Sequence, residues 1–190
     1  MNDYYFHDFP SEWLDARIDS IARNPQRNQI LYAMHQIIKG EGMGQYYIHS
    51  ERAVGKSYLA AMLCNQVVYE QRQTAAFANA RLLMERLRGS VIDNKSEYED
   101  ILRKMLTATL VVIDDIGSEK VTELSVDILT DIVDYRLKNN LATILTSNFN
   151  EKELQGIYRS YSLKAKRLLT RIMTGFETIL LEGADHRHIR

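Results

Sequence analysis

Two short segments carry residue types that can handle a phosphate and a divalent cation. Gly55-Lys56-Ser57 sets a flexible residue, a cation and a hydroxyl side by side, and Asp114-Asp115 sets two carboxylates directly after the apolar run Leu110 to Ile113. A lysine at the start of a helix can reach the β- and γ-phosphates of a nucleotide while first-turn N–H groups surround them. A carboxylate ending a buried strand can hold the Mg²⁺ that bridges those phosphates. Its neighbour can orient or deprotonate an attacking water. Each segment supplies what the other lacks, so together they predict binding of a Mg-nucleotide. Asp115 is shorter than the glutamate more common in the water-handling role, which predicts slow hydrolysis.

Around the lysine, Ser50-Glu-Arg-Ala-Val-Gly-Lys-Ser57 fills the eight positions of the G-x-x-x-x-G-K-[ST] pattern. Ser50 replaces the first glycine, and Ala53 stands where many such loops have another. Glycine at those positions allows positive φ and close backbone approach, so both replacements predict a cost in strain or clearance. Nucleotide contacts are expected from Ala53, Val54, Gly55, Lys56, Ser57 and Tyr58, with Mg²⁺ held by Ser57 and Asp114. A plainer role for one of the two aspartates is to cap the turn at Gly117-Ser118, but that leaves the second unexplained.

Thr143-Ile-Leu-Thr-Ser-Asn148 reads as a second buried strand, ending in small polar residues. In a parallel sheet its carboxyl end lies beside that of the metal-binding strand. Asn148 is there either to position water or sense the γ-phosphate, or simply as a strand-end turn residue. Arg167 and Arg171 are four apart on one helical face. They either pair with surface acids or reach a neighbouring subunit's nucleotide. His7, His35, His49, His186 and His188 have no metal-ligand spacing.

These residues need a scaffold, and helix and strand signals alternate to provide it. Strands are expected at Tyr46 to His49, Thr74 to Ala78, Thr109 to Asp114, Ala142 to Ser147 and Glu177 to Leu181. Helices are expected at Ser57 to Gln71, Ala80 to Arg88, Glu97 to Leu106, Val121 to Lys138, Glu151 to Gly156 and Leu163 to Met173. The pattern predicts an α/β P-loop fold: a parallel sheet of about five strands flanked by helices, with no substantial lid domain. Pro10-Ser11 opens a helical pattern with Trp13, Ile18 and Ile21. Pro25 restarts one with Ile30, Leu31, Met34, Ile37 and Ile38. Residues 1–26 are therefore expected to form a helical extension, and residues 27–190 the nucleotide-binding domain.

The 190 residues are 45% hydrophobic with formal net charge -1, which suits one folded core and argues against coating nucleic acid by bulk charge. From Arg159 onward, however, basic residues outnumber acidic ones. Cys64 is the only cysteine, so no intrachain disulfide forms, and its apolar neighbours mark it as a buried hydrophobe. No apolar stretch reaches the ~18 residues of a membrane span, and the N-terminus lacks a signal-peptide pattern. A soluble cytoplasmic protein is expected.

The runs LVVIDDIGSE (110–119), VDYR (133–136), TILTSNF (143–149) and GKSYLA (55–60), with KAKRLLTRI (164–172), resemble the AAA+ domain of bacterial replicative helicase loaders of the DnaC/DnaI type. The resemblance covers roughly residue 27 to the end. It implies nucleotide contacts at Lys56 and Ser57, Mg²⁺ and water at Asp114 and Asp115, a γ-phosphate sensor at Asn148, and an arginine finger in trans at Arg171 or Arg167. It further implies ATP and Mg²⁺ as cofactors, self-association through AAA+ interfaces, single-stranded DNA and a hexameric replicative helicase as partners, and no membrane. Two departures stand out: the loop's missing glycines, and a lysine as early as position 56, which leads us to expect no separate N-terminal helicase-binding domain. A transposition helper ATPase of the IstB type shares this core. A degenerate, non-hydrolysing adaptor that binds a helicase or loader is the alternative from another class.

Overall fold

The structure, a computed structural model, describes residues 4–16, 28, 31–32, 35, 44–158 and 163–182. Among these, six strands form one sheet: β1 (Tyr4–His7), β2 (Gln45–His49), β3 (Ala75–Asn79), β4 (Leu110–Asp114), β5 (Ala142–Ser147) and β6 (Glu177–Leu180). Their spatial order is β1-β3-β4-β5-β2-β6, with every pairing parallel. The helices are α1 (Lys56–Asn65, continued by a wider π-helical turn Gln66–Glu70), α2 (Ala80–Asp93), α3 (Lys95–Thr107), α4 (Glu123–Lys138), α5 (Glu151–Tyr158) and α6 (Leu163–Gly175).

The continuous apolar strands follow from burial on both sides. Tyr47, Leu145, Ile113 and Ala78 are in register across β2, β5, β4 and β3 and face the core built with α2 to α6. The alternate row, Tyr46, Ile144, Val112 and Phe77, faces the core built with α1. A strand buried twice has no polar face to alternate, so Leu110 to Ile113 reads as an unbroken hydrophobic run. Cys64 is buried in the α1-side core, as expected, and burial pushes its thiol pKa up.

The order of the central strands positions the chemistry. β5 separates β2, which leads into the lysine loop, from β4, which ends in Asp114. Reversal of the winding direction there opens a crevice at the carboxyl ends of the strands, where ligands of such sheets bind.

The start of the chain departs from expectation. Tyr4–His7, read as part of a helical extension, instead form β1 and extend the sheet from about five strands to six by pairing with β3. The expected helix after Pro10 is a single 3-10 turn, Ser11–Asp15. Aromatic Tyr-Tyr-Phe suits a pleated surface, but four residues are too few for strand periodicity to register. Asn65 on α1 fastens this segment by donating to the Trp13 and Ala16 carbonyls at 2.7 and 3.0 Å. Of the helix expected after Pro25, Leu31 is helical and packs on the α1-side core; Ile30, Met34, Ile37 and Ile38 lie outside the described residues, as do Ile18 and Ile21. No described helix is long and apolar enough to cross a membrane.

Candidate nucleotide site

The loop after β2 runs from Ser50 to Gly55, where α1 begins. Side chains cap the N-termini of α2, α3 and α4: Asn79 on Leu82, Asn94 on Glu97, and Thr122 on Ser125. The N-cap of α1 is Gly55, at φ 100° and with no side-chain cap, so a bound anion can take the first-turn N–H groups. Ala53 also adopts a left-handed conformation, at φ 63°. The strain expected from its missing glycine is therefore real, a cost of about 1–2 kcal/mol for an L-residue. Ser50 is not among the positive-φ residues, so its replacement of glycine is not a matter of φ.

Ser50 is buried, and its hydroxyl takes part in holding Lys56. The Lys56 ammonium donates to Ser50 Oγ at 2.9 Å, to the Ser50 and Glu51 carbonyls at 3.1 and 3.0 Å, and to Asn148 Oδ1 at 3.0 Å. Burial lowers the lysine's pKa, while the nearby Asp114 and Asp115 act the other way. Four backbone and side-chain oxygens thus surround the Lys56 ammonium.

β4 and β5 bring the remaining residues together. Thr146 Oγ1 donates to Asp114 Oδ1 at 2.6 Å and accepts the Asp115 N–H at 2.9 Å, which sets both carboxylates from one hydroxyl. Asn148 Nδ2 donates to Asp115 Oδ1 at 2.5 Å. Asp114 is 7% exposed; burial pushes its carboxyl pKa up, opposed by bonds from Thr146 and Ser57. Ser57 and Asp114 thus lie on the same side of the site. A hydroxyl and a carboxylate are the hard, sparse oxygen ligands that suit Mg²⁺ bound mainly through water and phosphate. Among the described residues no cluster of His, Cys, Asp or Glu makes an all-protein metal cage.

A cavity of about 1100 Å³ opens over these groups, lined by the loop, Lys56, Ser57, Tyr58, both aspartates, Thr146 and Asn148, with Trp13 on its wall. Trp13 meets Tyr58 edge to face at 5.4 Å. All of the expected site residues on the loop, β4 and β5 line this space except Val54, whose side chain is buried in the core. Asn148 bridges Lys56 and Asp115, which is more than a turn-forming role requires.

Arg167 and Arg171 are not among the cavity-lining residues. Both pair with the buried Asp134 on α4, Arg171 through Nε at 2.7 Å, while their own side chains stay 52% and 42% exposed. Within one chain the two arginines therefore pair with an acid, but a buried one on a neighbouring helix rather than the surface acids expected. Thr146, Asp134 and the buried Glu119 escaped the sequence reading: a strand threonine, a mid-helix acid and a loop acid give no local signal.

A family model, that of the IstB-like ATP binding protein, matches residues 48–189. The chain belongs to that family. Among curated relatives it is 28% identical to the replicative helicase loader DnaI of Bacillus subtilis over 79% of this chain and 49% of that protein. It is 24% identical to the replicative helicase loader DnaC of Escherichia coli over 79% of this chain and 59% of that one. The chain thus spans about half the length of the curated relatives it matches. Crystal structures of DnaI and of the DnaC helicase loader superpose with TM-scores of 0.77 and 0.76 at 22% and 19% identity, covering 97% and 91% of this chain and 97% and 100% of those chains. AMPPCP-bound DnaA from Aquifex aeolicus superposes at 0.73 with 14% identity, over 87% of this chain and 50% of that one. The α/β P-loop AAA+ fold and the resemblance to DnaC/DnaI-type domains are borne out.

Proposed function

We propose that this chain is an ATP-driven helicase loader of the AAA+ type, or the AAA+ part of one. It binds Mg-ATP and hydrolyses it slowly, and this cycle times the placing of a hexameric replicative helicase on single-stranded DNA. The observation that carries the reading is Asn148, which bonds Lys56 on one side and Asp115 on the other. That bridge sits where a γ-phosphate would be felt by lysine, sensor and water-handling carboxylate together.

Lys56 leaves its oxygen acceptors for the β- and γ-phosphates, and the open N-terminus of α1 takes the remaining phosphate oxygens. Ser57 and Asp114 would hold Mg²⁺, which when bound neutralises charge on the phosphate oxygens. Asp115 orients the attacking water and receives its proton; Asn148 reads the presence of the γ-phosphate. Arg171 or Arg167 leaves Asp134 to serve the neighbouring subunit's nucleotide on self-association. Turnover by the wild-type chain with Mg-ATP and single-stranded DNA, lost in Lys56→Ala and Asp114→Ala, tests the enzymatic part. Co-purification with a hexameric helicase tests the partner.

The family match favours one second reading, a transposition helper ATPase of the IstB type. Capture of a transposase in place of a helicase would select it. The positive φ of Ala53 favours an adaptor that does not hydrolyse ATP; no heat of binding on titration with Mg-ATP would select that.

A further inference from the structure

We propose that Glu119 is a positioning residue: its carboxylate ties the loop carrying Asp115 to α5, so that Asp115 and Asn148 move as one unit. The proposal rests on the ATPase reading above only for its catalytic consequence, since the coupling itself is a property of the fold.

The loop from Asp115 to Glu119 is held in an uncommon shape. Asp115 has φ 61° and Gly117 has φ 92°. An aspartate in that region costs free energy unless its surroundings fix it there. Three backbone groups of the loop are held by β5: the Asp115 N–H by Thr146 Oγ1, the Ile116 N–H by the Thr146 carbonyl at 2.8 Å, and the Ile116 carbonyl by Ser147 Oγ at 2.7 Å. The far end of the loop has one anchor of another kind. Glu119 is 4% exposed, and each carboxylate oxygen has a different donor: Oε2 accepts the Gly117 N–H at 2.8 Å, and Oε1 accepts the hydroxyl of Tyr158 on α5, itself 0% exposed.

α5 begins three residues after Asn148, so whatever moves α5 moves the sensor. The two segments are also packed without slack. A Cβ on Gly117 would stand 3.0 Å from Leu154 of α5 and 3.1 Å from Phe149. Tyr47 completes the arrangement by donating to the Phe149 carbonyl at 2.6 Å. A carboxylate buried only to satisfy itself needs no partner on two different elements. Glu119 links the loop that carries Asp115 to the helix that follows Asn148, and those two residues are the groups that would bracket an attacking water.

The test uses Glu119→Leu, which takes the acceptor oxygens away from both the Gly117 N–H and the Tyr158 hydroxyl; Tyr158→Phe removes the hydroxyl and keeps the ring. In the nucleotide-free chain, amide hydrogen exchange is expected to quicken together over residues 115–118 and 148–150 in both variants. In turnover, kcat is expected to fall on the order of 10-fold to 100-fold with Mg-ADP affinity held within about twofold, the mark of misplacement rather than lost binding. In an Asp115→Asn background the same substitutions should add nothing further. Exchange that quickens on one segment only, or kcat losses that multiply with Asp115→Asn, would overturn the proposal. A wild-type chain that turns over no ATP would instead refute the ATPase reading, leaving the exchange measurement to decide the coupling.

Discussion

Asn148 and Lys56 meet at 3.0 Å, amide oxygen to ammonium, across the gap between the end of β5 and the start of α1. Through its amide nitrogen the same side chain holds Asp115. One neutral residue therefore connects the lysine proposed to grip phosphate with the carboxylate proposed to handle water. Asn148→Ala should lower kcat by on the order of 10-fold or more, as removal of a preorganised donor does. It should also narrow the preference for Mg-ATP over Mg-ADP. Paired binding and turnover measurements check both effects, and an unchanged preference would return Asn148 to a turn-forming role.

Ala53 holds a backbone conformation that favours glycine. Ala53→Gly removes the left-handed penalty but loosens the unfolded chain, for a net gain of about 0.5–1 kcal/mol. The loop should also close on phosphate more readily, so Mg-ATP affinity should rise. Ser50→Gly tests a different contribution, because Ser50 Oγ is one of the acceptors that hold Lys56. Calorimetric melting and titration of both variants separate strain from competition for the lysine.

Asp114 titrates above the ordinary carboxylate range because it is buried. A raised folded pKa means the folded chain binds its proton more tightly than the unfolded chain does. Asp114 therefore contributes stability below its ordinary pKa of 3.8, and that contribution is lost as pH rises through the raised value. Binding of Mg²⁺ has the opposite sign, since it needs the carboxylate. On acidification, Mg-dependent nucleotide affinity should start to fall at a pH where an exposed aspartate would still be fully ionised. Asp114→Asn should remove the Mg dependence and cost no stability at neutral pH. Thermal melts and titrations over a pH series with and without Mg²⁺ read both.

Arg136 is fully buried, and among the described residues no carboxylate pairs with it. It donates to the Met105, Leu106 and Ala108 carbonyls at the end of α3, to the Ala142 carbonyl and to Thr143 Oγ1 on β5. Its charge sits where a helix's carbonyl end is negative. Arg136→Ala would strand several buried acceptors, so a loss of about 3 kcal/mol or more is expected in urea unfolding. A loss below about 1 kcal/mol, the level of an ordinary neutral hydrogen bond, would mean water replaces the guanidinium.

What could be read from the residues follows their burial. β4 and β5 were legible because strands covered on both faces lose their polar alternation, and α1 because Gly55-Lys56-Ser57 marks its first turn. β1 was not: four aromatic and polar residues at a sheet edge, all half-buried, carry no period. Glu119 reads as a solvated loop acid until Tyr158, 39 positions away in the chain, is seen to cover it. Arg167 and Arg171 could be placed on one helical face, but their shared partner Asp134 lies on another helix, and spacing within one helix says nothing about its neighbour.

The most direct measurement is titration of the chain with ATP, with and without Mg²⁺, followed both by heat and by the emission of Trp13, the only tryptophan and part of the cavity wall. The expected result is saturable Mg-dependent binding that shifts the Trp13 signal and is lost in Lys56→Ala. Absence of both heat and fluorescence change in the wild-type chain, or equal binding by Lys56→Ala, would contradict a nucleotide held between the α1 loop and the ends of β4 and β5.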